Sequence, residues 1–122
     1  MQTVLVVEDD PNQWLLYEEE LSYEGYRVLH AECGREALQM VREAHFHCVV
    51  LDLNLPDMEG TEVLGKMVEW NVDLPVVINT AYAAYEDKAI TRVANAYVVK
   101  SSDLTELKAR VKEALDKAGA SA

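Results

Sequence analysis

Residues 5–11 read LVVEDDP. Leu5, Val6 and Val7 form a short apolar run, two of its three residues β-branched, of the kind found in strands buried on both faces. Glu8, Asp9 and Asp10 follow without a break, and Pro11 comes next. Pro11 suits the first turn of a helix, with Asp10 as its N-cap. The stretch therefore reads as a strand that ends on three acids and passes straight into a helix. Neighbouring carboxylates at the edge of a core repel one another and are expensive to desolvate unless something compensates them.

The same alternation continues along the chain. Strand-like runs fall at Thr3–Val7, Tyr26–Ala31, Cys48–Leu51, Leu74–Ile78 and Tyr97–Val99. The segments between them carry helical stripes. Trp14, Tyr17 and Leu21 share one face of the first, which Gly25 closes. Ala37, Leu38, Val41 and Ala44 mark the second, and Val63, Leu64, Met67 and Val68 the third. Tyr85, Ala89, Ile90 and Val93 give a weaker fourth stripe. Asp103 and Glu106 resemble a capping box before Leu104, Leu107, Val111 and Leu115 in the fifth. Five strands alternating with five helices predict an α/β fold: an open parallel sheet, doubly wound by helices on both faces. The common order for five strands is 2-1-3-4-5, which makes strands one and three neighbours at the topological switch point.

Composition narrows the function. The chain has 122 residues, half of them hydrophobic, enough for one folded domain. A net charge of −11 argues against nucleic acid as a direct partner, because such binding rests on cationic contacts to phosphates. No apolar run is long enough to span a membrane. Met1 leads directly into a strand-like run, which sets the expectation of a chain without a signal peptide. Cys33 and Cys48 lack metal-like spacing and are expected to be reduced thiols in a cytoplasmic protein. Residues 1–118 are expected to form the domain, with 119–122 a flexible tail or the start of a linker.

The strand ends carry the chemistry. The first ends in Glu8-Asp9-Asp10, the third in Asp52, the fourth in Asn79-Thr80 and the fifth in Lys100. All lie on one edge of the expected sheet, and the switch point brings the first and third together. Glu8, Asp9 and Asp52 should form a carboxylate cluster that calls for a cation. All-oxygen ligands select a hard ion, and few protein ligands point to Mg²⁺ rather than Ca²⁺. A carboxylate nucleophile, a divalent ion and a Lys are the ingredients for an aspartyl phosphate. Thr80 can donate a hydrogen bond to a transferring oxygen.

With these residues in place, the sequence resembles the receiver domain of bacterial two-component response regulators over essentially its whole length. LVVEDDP is similar to the acidic-pair motif of that family, DLNLPDMEG (52–60) to its phosphoacceptor loop, and NTA (79–81) and YVVK (97–100) to its Thr and Tyr-x-x-Lys motifs. The resemblance implies a flavodoxin-like receiver fold and a phosphoacceptor switch, not an enzyme with a separate substrate. Asp52 would take a phosphoryl group from a sensor histidine kinase or a histidine phosphotransfer protein. Asp9, Asp52 and the backbone carbonyl of Asn54 would bind Mg²⁺, with Glu8 acting through water. Lys100 would contact the phosphate, Thr80 would move toward it, and Tyr97 would turn inward. That would remodel a surface made by the fourth helix, fifth strand and fifth helix, where a downstream protein or output domain docks. A homodimer on that surface stays open as an alternative. Asn54 and Tyr82 occupy positions that in this family influence phosphoryl lifetime, and Tyr82 is expected to shield the group and slow hydrolysis.

Three residues depart from the family pattern. Ser101 follows Lys100 where the family usually has Pro, often after a cis bond, so either a trans or a strained cis peptide would fit. Val93 replaces a common glycine, and Glu8 replaces the commoner Asp. Two other function classes compete. A small aspartyl-phosphate-forming hydrolase normally carries a second Asp where Asn54 stands. A flavin or nucleotide binder needs a phosphate loop after the first strand, where this chain has acids.

Overall fold

The computed structural model describes residues 1–81 and 93–121, with the side chains of the last helix described through residue 117. Its elements are β1 (Thr3–Val7), α1 (Pro11–Tyr23), β2 (Arg27–Ala31), α2 (Gly34–Glu43), β3 (Cys48–Leu51), α3 (Gly60–Trp70), β4 (Val76–Thr80), β5 (Ala96–Val99) and α4 (Thr105–Ser121). The five strands form one parallel sheet in the order β2-β1-β3-β4-β5, as the alternation predicts. The fourth expected helical stripe lies outside the described residues except for Val93, so α4 is the fifth expected helix. Asp10 caps α1 by accepting the Asn12 N–H at 3.0 Å, with Pro11 in the first turn. At α4, Asp103 accepts the Thr105 N–H at 2.9 Å.

Period-two alternation splits the apolar residues between the two faces of the sheet. Leu5, Val7, Val49, Leu51, Val76 and Ile78 face Ala37, Leu38, Val63, Leu64 and Met67 of α2 and α3. Val4, Val6, Val50, Val77 and Val98 face Tyr17 and Leu21 of α1 and Leu107, Val111 and Leu115 of α4. Each such side chain, fully buried, is worth about 1.5–3 kcal/mol, so both helical layers are held by apolar burial. Cys48 lies in the second layer, and its burial pushes the thiol up to about 12. Both cysteines are free, and Cys33 caps α2 by accepting the Glu36 N–H on its sulfur at 3.5 Å.

One strand is displaced from its expected bounds. The run Leu74–Ile78 gives way to Val76–Thr80. Pro75 has no N–H to donate, so regular pairing starts after it. Val76 instead donates to the Asn95 side chain at 3.0 Å, and the Pro75 carbonyl still accepts from Val49. The shift carries Asn79 and Thr80 into the strand, where both are buried. Among the described residues every peptide is trans, including Lys100–Ser101.

Candidate functional site

Register assembles the site. Val7 pairs with Leu51, Leu51 with Ile78, and Ile78 with Tyr97. β1 and β3 end at this level and β4 and β5 run on to Thr80 and Val99, so these strands all end along one edge of the sheet. Glu8 donates its N–H to the Ala31 carbonyl at 3.0 Å and Asp52 donates to the Val7 carbonyl at 3.1 Å, so both backbones stay tied to the sheet. Lys100 reaches in from the end of β5, its N–H bonded to the Thr80 carbonyl at 2.7 Å.

The Lys100 ammonium is shared between two carboxylates. Nζ lies 2.5 Å from Glu8 Oε1 and 2.9 Å from Asp52 Oδ2. The other Asp52 oxygen accepts the Asn54 N–H at 3.1 Å. The second oxygen of Glu8 is buried and has no hydrogen-bond partner. Glu8 is only 1% exposed and Asp52 5%, whereas Asp9 is open to solvent. Burial first, and the hydrogen bond and charge of Asp52 after it, push the Glu8 carboxyl up to about 8 against the opposing pull of Lys100. Burial lowers the Lys100 ammonium, but its bonds to Glu8 and Asp52 outweigh this and hold it above its ordinary value. The extended side chain closes these contacts across a trans Lys100–Ser101 peptide, so a proline at 101 is not needed for the reach.

Glu8, Asp9 and Asp52 each offer an oxygen, and the three lie within 4.8 Å of one another. One ammonium serves two of the three clustered carboxyl groups, and the orphaned Glu8 oxygen marks where a partner is missing. An all-carboxylate donor set with one open, solvent-facing member fits a hard divalent cation.

Of the remaining expected residues, the structure describes Thr80, Tyr97 and Asn54. Thr80 is fully buried at the end of β4. Tyr97 is half-buried in β5 and packs against the α2–α3 core layer. Asn54 is exposed and pairs across the loop with Glu59 in an isolated antiparallel bridge. Tyr82 lies outside the described residues.

One residue escaped the sequence reading. Asp57, at the outer part of the β3–α3 loop, accepts the Gly34 N–H at 2.8 Å and the Arg35 N–H at 2.9 Å at the start of α2. The Arg35 N–H above all, with that of Gly34, holds its carboxyl below the usual carboxylate range. An Asp three residues before a helix-opening glycine was the available hint, but its partners stand 23 and 22 residues away, beyond any local spacing rule.

The chain belongs to the response regulator receiver domain family, whose model matches residues 4–112. Receiver domains are phosphoacceptor signalling switches, and this chain is one of them. It is 37% identical over 119 residues to the "probable transcriptional regulatory protein TcrX" of Mycobacterium tuberculosis, covering 96% of this chain and 51% of that protein. The chain thus spans about half the length of that relative. It superposes on the response regulator TrrA of Thermotoga maritima, solved in complex with Mg(2+)-BeF, with a TM-score of 0.91 and 39% identity over 94% of this chain and 100% of that one. TrrA has also been solved in complex with the histidine kinase ThkA, where the TM-score is 0.88 and the match covers 94% of this chain and 99% of that one. A CheY-like receiver domain from Methanospirillum hungatei gives a TM-score of 0.93 at 30% identity, covering 100% of this chain and 99% of that one.

Proposed function

We propose that Asp52 is the phosphoacceptor, taking its phosphoryl group from a phosphohistidine on a sensor histidine kinase or a histidine phosphotransfer protein. The observation that supports this most is the position of Asp52, buried at the switch point with one oxygen on the Lys100 ammonium and two further carboxylates beside it. In the transfer a carboxylate oxygen of Asp52 bonds to phosphorus, the P–N bond breaks, and the imidazole leaves with its electron pair. Lys100, already at Asp52, accompanies the incoming phosphoryl oxygens and offsets their charge. Asp9, Asp52 and the Asn54 carbonyl would hold Mg²⁺, with Glu8 acting through water. When bound, Mg²⁺ supplies further positive charge for the transferring oxygens. The Mg(2+)-BeF complex of TrrA supports this assignment.

Thr80 and Tyr97 carry the response in this reading. Thr80 shifts toward the phosphoryl group and Tyr97 turns into the space vacated, changing the surface of β5, α4 and the preceding expected helix. A downstream protein or an output domain reads that surface, and a homodimer is its other candidate occupant. Residues 1–118 would be the receiver unit and 119–122 its tail or linker start. Asn54 beside the acceptor, with Tyr82, would tune phosphoryl lifetime. The domain promotes its own phosphorylation and dephosphorylation and acts on no separate substrate. Two reduced thiols fit a cytoplasmic setting, and no helix among the described residues is long and apolar enough to cross a membrane.

The test is incubation with Mg²⁺ and acetyl phosphate followed by intact-mass analysis. A single acid-stable, base-labile phosphoryl adduct is expected on the unaltered chain and none on Asp52→Ala. Equal labelling of the two removes Asp52 as the acceptor.

A further inference from the structure

The loop that follows β3 is closed at its base and anchored at its tip. At the base, Gly60 donates its N–H to the Leu53 carbonyl at 3.0 Å, and Asn54 bridges to Glu59. A Cβ on Gly60 would lie 2.3 Å from Leu53 Cα, so only glycine allows this closure. Asn54, Pro56, Asp57 and Glu59 are all exposed, and no strand pairing fixes the outer part of the loop.

Two adjacent residues fix it instead. Asp57 grips the first two N–H groups of α2 with both carboxylate oxygens, satisfying donors that a helix start leaves open. Met58 packs into the place where Gly34 lacks a side chain, since a Cβ there would sit 2.4 Å from Met58 Cγ. α2 is in turn seated on the sheet by Ala37 and Leu38. A continuous path runs from the core through α2, Asp57 and the closed loop to Asn54, whose N–H bonds Asp52.

We propose that Asp57 is a positioning residue for the cation site: by holding the loop tip on α2, it sets the Asn54 backbone against Asp52. The inference rests on the reading above, in which the Asn54 carbonyl joins Asp9 and Asp52 around Mg²⁺. Freed from α2, the loop carries Asn54 through a wider range of positions, and the cation loses a prepositioned oxygen. Cys33 supplies an internal control. It caps the same helix by accepting the Glu36 N–H, and although its thiol also bonds the Asp57 carboxylate, its removal leaves both N–H bonds of Asp57 to α2 in place. A role limited to helix capping would make Asp57 and Cys33 equivalent.

The experiment measures Mg²⁺ affinity of the whole chain by calorimetry, with no phosphodonor present. Asp57→Ala is expected to raise the Mg²⁺ Kd on the order of tenfold, the lower end of what loss of a positioning partner costs a metal site. Asp57→Asn, which keeps one acceptor oxygen, should fall between, and Cys33→Ala should bind as the unaltered chain does. Hydrogen exchange should show the Asn54 amide less protected in Asp57→Ala and unchanged in Cys33→Ala. An unchanged Kd in Asp57→Ala, with Asp9→Asn still losing binding, overturns the positioning role and leaves the cation site standing. Absence of Mg²⁺ binding by the unaltered chain, or full binding by Asp9→Asn, overturns the cation site and this inference with it.

Discussion

Glu8 and Asp57 are carboxylates at the same end of the sheet with opposite fates. Asp57 sits in solvent with each oxygen on a backbone N–H, and its proton affinity falls. Glu8 sits in the core with one oxygen on Lys100 and the other on nothing, and its proton affinity rises to about 8. The chemical group is the same and only the supply of partners differs. A fully partnered carboxylate ties structure together, whereas an under-partnered one leaves a field that a cation can satisfy. The protein places the first kind in the loop and the second at the switch point.

The sharpest way to break the contrast is to remove the partial compensation that Glu8 has. Lys100→Met leaves Glu8 and Asp52 facing each other without a counter-charge, and should lower stability by about 3 kcal/mol above about pH 8, where Glu8 is ionised. Urea titrations measure this, and added Mg²⁺ should recover part of the loss because it restores positive charge. A loss that Mg²⁺ leaves untouched would mean that the carboxylates are not what the ammonium stabilises.

The next effect is on pH dependence. Glu8 is raised from 4.5 to about 8 in the fold, so the folded state holds this proton more tightly than the unfolded one. The associated stability is full below about pH 4.5 and is lost as pH rises toward about 8. In chelator, thermal melts should therefore show Tm declining across that window, with Asp52 and Lys100 as the facing charges. Glu8→Gln should flatten the decline. A parallel slope in the variant would assign it to other groups.

The smallest effect concerns the partnered carboxylate. Asp57→Ala removes a helix cap and should cost about 1 kcal/mol, or roughly 4 °C in Tm for a domain of this size. The sign is opposite to that of Glu8. The depressed carboxyl of Asp57 contributes stability above its ordinary value of 3.8, and loses it as pH falls through its folded value. The gap between variant and unaltered chain should be present at neutral pH and close in acid. A gap that persists in acid would show that the charge plays no part.

Much of this was legible without coordinates because it depends on local pattern. The β-branched runs, the helical stripes and the Asp10-Pro11 start each report on residues close in sequence, and the strand order followed from the alternation. The gathering of Glu8, Asp9, Asp52 and Lys100 was legible for a related reason. A parallel sheet sends every strand end to one edge, so topology gathers residues that sequence separates. The displaced β4 shows the limit of this logic: apolar character ran from Leu74, but Pro75 withheld the donor that pairing needs.

The sequence by itself determined the two apolar faces, the parallel sheet and the set of acids at its edge, because hydrophobic periodicity and strand polarity are written residue by residue. Tertiary structure alone decided how the charges divide. It gave Lys100 to both Glu8 and Asp52, left one Glu8 oxygen without a partner, and turned Asp57 away from the acids onto α2. Those outcomes depend on distances of a few ångströms between residues far apart in the chain. Electrostatic and hydrogen-bond energies are decided at that scale, and no periodicity encodes it.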